Sequence, residues 1–197
     1  MPGRFDRAIL IAVPLTPVVI LLAVGLFFIA ARSGETHKPT PDLMAEAALE
    51  SPDGNPVGTV TFRQTATGVL IIAEVNGLSP GGHAFIVHEV GTCTPDFSAA
   101  GDHFNPEDAE HGFIHPSWKR GEATRGHGGD LPNIYAASDG SARADFFTVG
   151  LTLDRGPRHS VFDADGSAII VHAKPDAYGE EESDTGDRVA CGIIRAA

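Results

Sequence analysis

From Ile9 to Ala31 the chain is apolar and carries no charged side chain, whereas from Ala45 onward the apolar positions recur with a period of two. The first stretch predicts one long helix: at about 1.5 Å per residue it spans about 34 Å, enough for a hydrocarbon core of roughly 30 Å. Pro14 and Pro17 predict a kink in its first half. Arg4 and Arg7 precede it, which favours a cytoplasmic N-terminus and places everything after Arg32 outside, although Arg32 and Lys38 weaken the bias. The favoured reading is an uncleaved transmembrane anchor over residues 1–32. The alternative is a secretory signal peptide, against which stand the length of the apolar run and the lack of a clean small-x-small site in Phe28-Ile29-Ala30-Ala31-Arg32. No cysteine follows the run, which excludes a lipid-modified N-terminus. Residues 33–43 read as an extended linker with His37 in solvent, leaving 44–197 as the folded domain.

Within that domain, alternation or short apolar runs predict strands over 45–50, 57–65, 67–76, 83–90, 141–153, 160–162, 167–172 and 188–195. Turn residues separate them, among them Pro52-Asp53-Gly54-Asn55-Pro56 and Ser138-Asp139-Gly140. Eight short antiparallel strands predict an all-β sandwich or flattened barrel. Asp163-Ala164-Asp165-Gly166 resembles the start of a calcium loop, but the ninth residue after Asp163 is His172 rather than glutamate. A hairpin turn is the better reading.

Lys and Arg number 14 against 26 Asp and Glu, a formal charge of −12. Such acidity excludes nucleic-acid binding, which requires cations to displace counterions from phosphates, and disfavours attraction to an anionic membrane surface. Two cysteines allow at most one bridge and no four-cysteine zinc site, while nine histidines direct attention to metals.

No strand pattern appears between Glu89 and Tyr135, and a loop of that length is functional or disordered. It carries His103, His111, His115 and His127, with Asp130 three residues after the last. Three histidines and a carboxylate are the donors of a closed, structural zinc site, and ligand bonds can order a loop that lacks a hydrophobic core of its own.

Five motifs carry a resemblance: His83 to Cys93 (HAFIVHEVGTC), Ala100 to Pro106 (AGDHFNP), His127 to Asn133 (HGGDLPN), Phe162 to His172 and Arg188 to Gly192 (RVACG). In this order they resemble the copper/zinc superoxide dismutases, particularly the bacterial secreted branch, over about residues 45 to 195. The resemblance implies an eight-stranded Greek-key β-barrel with long metal-binding loops. It implies that His103 bridges copper and zinc, and that His111, His127 and Asp130 complete the zinc site. Cys93 would pair with Cys191, a closure worth roughly 4–5 kcal/mol in the chain-entropy model and suited to an oxidising compartment. Asp176 matches the carboxylate that orients ligand histidines, and Arg188 matches the cation that draws superoxide to copper. In the implied reaction one superoxide reduces Cu(II) and the next reoxidises Cu(I), while the bridging histidine releases copper and takes up a proton.

The copper site departs from the pattern. The family places two ligands on one strand as His-x-His, because positions i and i+2 share a face; here the triplet is Ile86-Val87-His88. Copper would keep His88, His103 and His172 and lose a fourth nitrogen, weakening its retention. His83, three positions from Ile86, belongs to the opposite face and matches a structural position; His115 and His159 match no ligand. Glu180, Glu181 and Glu182 fall in the stretch matching the loop that guides the anion, with the wrong sign for superoxide. Three readings follow: an extracytoplasmic dismutase with a modified copper site; a zinc-stabilised, catalytically degenerate relative that binds copper or a partner without efficient turnover; and a zinc-stabilised interaction domain. A second copy of the chain is a partner the sequence leaves open.

Overall fold

Alternation of buried and more exposed residues runs through β1 (Met44–Glu50), the second half of β2 (Pro56–Gln64) and β3 (Val69–Val75), the first three strands. The computed structural model describes residues 42–112, 126–179 and 184–197; the anchor, most of the linker, His115 and Glu180, Glu181 and Glu182 lie outside them. Among the described residues no helix is long and apolar enough to cross a membrane.

The other strands are β4 (Gly81–His83), β5 (Phe85–His88), β6 (Ile134–Ala136), β7 (Ala142–Thr148), β8 (Ala168–His172), β9 (Arg188–Ile193) and β10 (Arg195–Ala196). The main sheet has eight strands in the order β5-β8-β9-β1-β2-β3-β7, with β10 added to β1, and β4 pairs with β6 separately. All the pairings between these strands are antiparallel. Phe85 and Phe146, from opposite ends of the main sheet, bring their ring centroids to 5.7 Å, so the sheet curls around one core. Ala45, Ala47, Leu49, Val60, Phe62, Val69 and Ile71 fill that core from β1 to β3.

Strands β5 and β8 are buried at every position, which is why they read as unbroken apolar runs. Phe85, Val87, Ile169 and Val171 face the core. On the other face Ala168 and Ile170 pack with Ala100 and Cys191 under the segment after β5. A short 3-10 helix, Phe97–Ala100, lies in that segment, capped by Asp96, whose carboxylate accepts from the Ser98 N–H.

The all-β expectation holds, and several boundaries differ from it. The expected strand 83–90 is split at Ala84, whose N–H donates to Lys174 O and whose carbonyl accepts from His172 N–H, so β4 turns away to pair with β6. The expected strand 160–162 is absent: Ser160 makes a single parallel bridge to Thr152, and the turn at 163–166 leads into β8 without closing a hairpin. A buried amide holds this region instead, Gln64 Oε1 accepting from Thr152 Oγ1 at 2.9 Å and Leu153 N–H at 2.8 Å. The last expected strand divides into β9 and β10.

Candidate metal centre

Period-two geometry puts Ile86 and His88 on the outer face of β5, and the register with β8 sets Ile86 opposite Ile170 and His88 opposite Ala168. Two single bridges, His88 to His103 and Ile86 to Asp130, lay the long loop against this strand. Gly129 makes the approach feasible: its N–H donates to Phe104 O, its carbonyl accepts from Val87 N–H, and a Cβ there would lie 2.2 Å from Val87 O.

Four side chains from the loop converge. Donor atoms of His103, His127 and Asp130 lie within 4.8 Å of one another. His103 Nδ1 meets Asp130 Oδ1 at 2.9 Å, and His127 Nδ1 lies 3.5 Å from the same oxygen. The rings of His103, His111 and His127 are mutually 5.3–5.5 Å apart. Burial by itself would raise the Asp130 pKa, but bonds from His103, His127 and the Gly112 N–H outweigh it and hold the carboxyl well below its ordinary range.

His111 supplies the test of fit to a metal. Its Nδ1 donates to Gly179 O at 2.9 Å, so its neutral ring presents a lone pair at Nε2. That nitrogen is buried without a hydrogen-bond partner, 3.1 Å from Asp176 Oδ2 and 3.7 Å from Asp130 Oδ2. A lone pair facing two carboxylates is satisfied by a cation, and three imidazoles with a carboxylate fit zinc. Asp176 is itself held: its N–H donates to Asn133 Oδ1, Asn133 Nδ2 donates to its carbonyl, and its Oδ1 accepts from Tyr178 N–H.

On the other side of His103 lies a second group. His88 sits 5.2 Å from His103 and 5.5 Å from His172 by ring centroids, and the Nε2 atoms of His88 and His172 are 3.3 Å apart. His88 Nδ1 donates to Gly101 O at 2.9 Å. Burial lowers His88 from an ordinary 6.5 to about 2, against the raising effect of the Gly101 bond, with the charge of Arg188 pushing the same way. His172 falls to about 4, again through burial first and Arg188 second. Two neutral imidazoles with adjacent lone pairs suit copper. Ile86, 1% exposed, shares their face and offers no donor.

Arg188 donates to Phe97 O at 2.7 Å and to Gly101 O at 2.8 Å, so one carbonyl holds both His88 and Arg188. The Cys93–Cys191 disulfide fastens the same segment to β9.

Of the remaining histidines, His83 meets the carbonyls of His172 and Ser79 and is structural. His159 pairs with Glu107 at 2.7 Å. Sequence reasoning did not assign roles to Gly101, Gly179, Asn133, Tyr178 or Thr185. Two of these act through backbone carbonyls, which leave no residue-type signal; Asn133 stands three residues after Asp130 in HGGDLPN and carries the clearest sequence signal of the five.

Residues 57–194 match the family model for copper/zinc superoxide dismutase (SODC), and the chain belongs to that family. It is 41% identical to the Cu-Zn superoxide dismutase of Caulobacter vibrioides over 155 residues, 77% of this chain and 85% of that protein. It is 34% identical to the superoxide dismutase-like protein YojM of Bacillus subtilis over 150 residues, 74% of this chain and 73% of that protein. A solved SOD-like protein from Bacillus subtilis superposes with a TM-score of 0.68 at 32% identity, covering 76% of this chain and 97% of that one.

Proposed function

We propose that the chain is an extracytoplasmic superoxide dismutase-family metalloprotein with a complete zinc site and an incomplete copper site. His103, His111, His127 and Asp130 hold zinc; His88, His103 and His172 hold copper, and Ile86 occupies the position of the lost fourth ligand. The observation that carries this reading is the place of His103, whose ring lies 5.2 Å from His88 and 5.5 Å from His127 while its Nδ1 engages Asp130.

Bound copper supplies a one-electron couple, through which two superoxide anions and two protons give oxygen and hydrogen peroxide. His103 can hold a proton at Nε2, the nitrogen remote from Asp130. Arg188, half-buried beside His88, supplies the positive charge that attracts the anion. Asp176, its Oδ2 3.1 Å from His111 Nε2, adds negative charge beside the cation that this nitrogen would hold. The N-terminal apolar segment, as anchor or as cleaved signal, delivers the domain to an oxidising compartment, which the disulfide favours.

A second reading, a degenerate relative that binds copper without efficient turnover, is favoured by Ile86. The family likeness includes a Bacillus subtilis SOD-like protein solved as a double mutant with two introduced histidines. Metal analysis of the purified protein, paired with a dismutase assay after copper loading, separates the two. Zinc near one equivalent with superoxide consumption by the copper-loaded protein supports the enzyme; stable copper without consumption supports the degenerate relative.

A further inference from the structure

The rings of His88, His111 and His172 are each engaged through Nδ1, and for His172 a side chain takes part. His88 uses the Gly101 carbonyl and His111 the Gly179 carbonyl, whereas His172 Nδ1 lies 2.9 Å from the hydroxyl of Thr185. The backbone carbonyl of Gly186 also accepts from the His172 ring, so the threonine hydroxyl and this carbonyl hold the ring together.

The hydroxyl is held in place by its surroundings. Lys174 N–H donates to Thr185 O and Ala173 N–H to Asp187 O, both at 2.8 Å, so the segment around Thr185 is tied to the two residues that follow His172. Asp184 Oδ1 accepts from Gly186 N–H at 3.0 Å, and Gly186 takes a left-handed φ of 72°, closing a turn with Thr185 inside it. Thr185 is half-buried.

We propose that Thr185 is a positioning residue for the copper half of the centre: its Oγ1, alongside the carbonyl of Gly186, engages His172 Nδ1 and holds the ring so that the Nε2 lone pair faces His88. The proposal rests on the reading of His172 as a copper ligand. Orientation matters more here than in a four-nitrogen site, because Ile86 offers nothing and each remaining imidazole carries a larger share of the binding. Hydrogen-bond partners of ligand histidines fix ring orientation and raise ligand basicity, and their loss typically costs about 10–100-fold in metal affinity.

The test compares the natural chain with Thr185→Val, Thr185→Ser and His172→Gln, each loaded with one equivalent of zinc and titrated with Cu(II) against a competing chelator. Electron paramagnetic resonance is recorded on each copper form. Thr185→Val, which keeps shape and removes the hydroxyl, weakens copper binding about tenfold or more and changes the copper hyperfine splitting. Thr185→Ser restores both, and zinc affinity stays unchanged throughout. If His172→Gln weakens copper while Thr185→Val leaves affinity and spectrum as they were, Thr185 has no positioning role and the ligand reading stands. If His172→Gln itself leaves copper binding intact, the three-histidine reading is wrong. Loss of zinc binding together with copper in Thr185→Val, unrelieved by Ser, marks a general disruption of the fold and overturns the proposal.

Discussion

His103 and Asp130, 27 positions apart in the chain, meet through Nδ1 and Oδ1 at 2.9 Å in a buried pair. This contact joins the two ends of the long loop, and Gly112 N–H donates to the other carboxylate oxygen at 3.0 Å. Asp130→Ala removes both links and a zinc donor. Zinc affinity is expected to fall by about 100-fold or more, beyond the usual cost of losing an outer partner. Limited proteolysis within the 103–130 region should accelerate. Chelator competition and cleavage rates check this; unchanged zinc affinity contradicts the assignment.

Asp176→Asn should act on the zinc half. Its Oδ2 lies beside His111 Nε2, and Ile86 has no nitrogen that could make a second contact on the copper half. Zinc affinity is expected to drop about 10–100-fold, with copper affinity unchanged when zinc is saturating. A fall in copper affinity under zinc saturation contradicts this division.

The metal-free protein should lose stability in acid within a defined window. Burial holds His88 at about 2 and His172 at about 4, both below the ordinary 6.5 that applies once unfolded. Between those values the unfolded chain binds more protons than the folded one. Stability is therefore full above about pH 6.5 and declines as pH falls toward 4, by up to about 1.4 kcal/mol per pH unit for each histidine. Below about 4 His172 stops contributing and His88 continues. Denaturant midpoints across pH 7 to 4 measure this; a flat profile contradicts neutral burial of the pair.

Cys93 and Cys191 should be unreactive toward thiol reagents in denaturant until reduced. Replacing both with Ala is expected to lower stability by about 2–5 kcal/mol. It should also loosen the segment whose Phe97 and Gly101 carbonyls hold Arg188. Free thiols in the native protein contradict both the bridge and the oxidising compartment.

Much of the centre was legible because ligand chemistry demands particular residue types at particular spacings. His103, His111, His127 and Asp130 stand out in a stretch with no strand pattern, and the i, i+2 rule singles out Ile86 as the departure from the pair; the disulfide and the Gly129 backbone bonds that also hold this stretch are set by tertiary placement. Strands β1 to β3 were legible from alternation, since one face meets the core and the other meets solvent. Strand β6 was not, for three residues carry too little period to register. The absent strand at 160–162 is suggested in the sequence by Val161 and Phe162 after Ser160; Val161 and Phe162 pack inward from a loop held by Gln64 and Thr152, so burial there comes without a ladder. Supports made by backbone carbonyls depend on tertiary placement and carry no sequence signal.

The central claim is that Ile86 leaves the copper site one ligand short. Ile86 and His88 share a face of β5, so Ile86→His directs an imidazole toward the missing position without moving the backbone. Without metal the variant is expected to lose about 1–3 kcal/mol for the buried polar ring. The decisive measurement is Cu(II) affinity together with superoxide consumption for the natural chain and Ile86→His, both loaded identically with zinc. The variant should bind Cu(II) more tightly, show one more nitrogen donor in its spectrum, and consume superoxide faster. A natural chain that already equals the variant in affinity, spectrum and rate would mean that another group supplies the fourth ligand, contradicting the incomplete site.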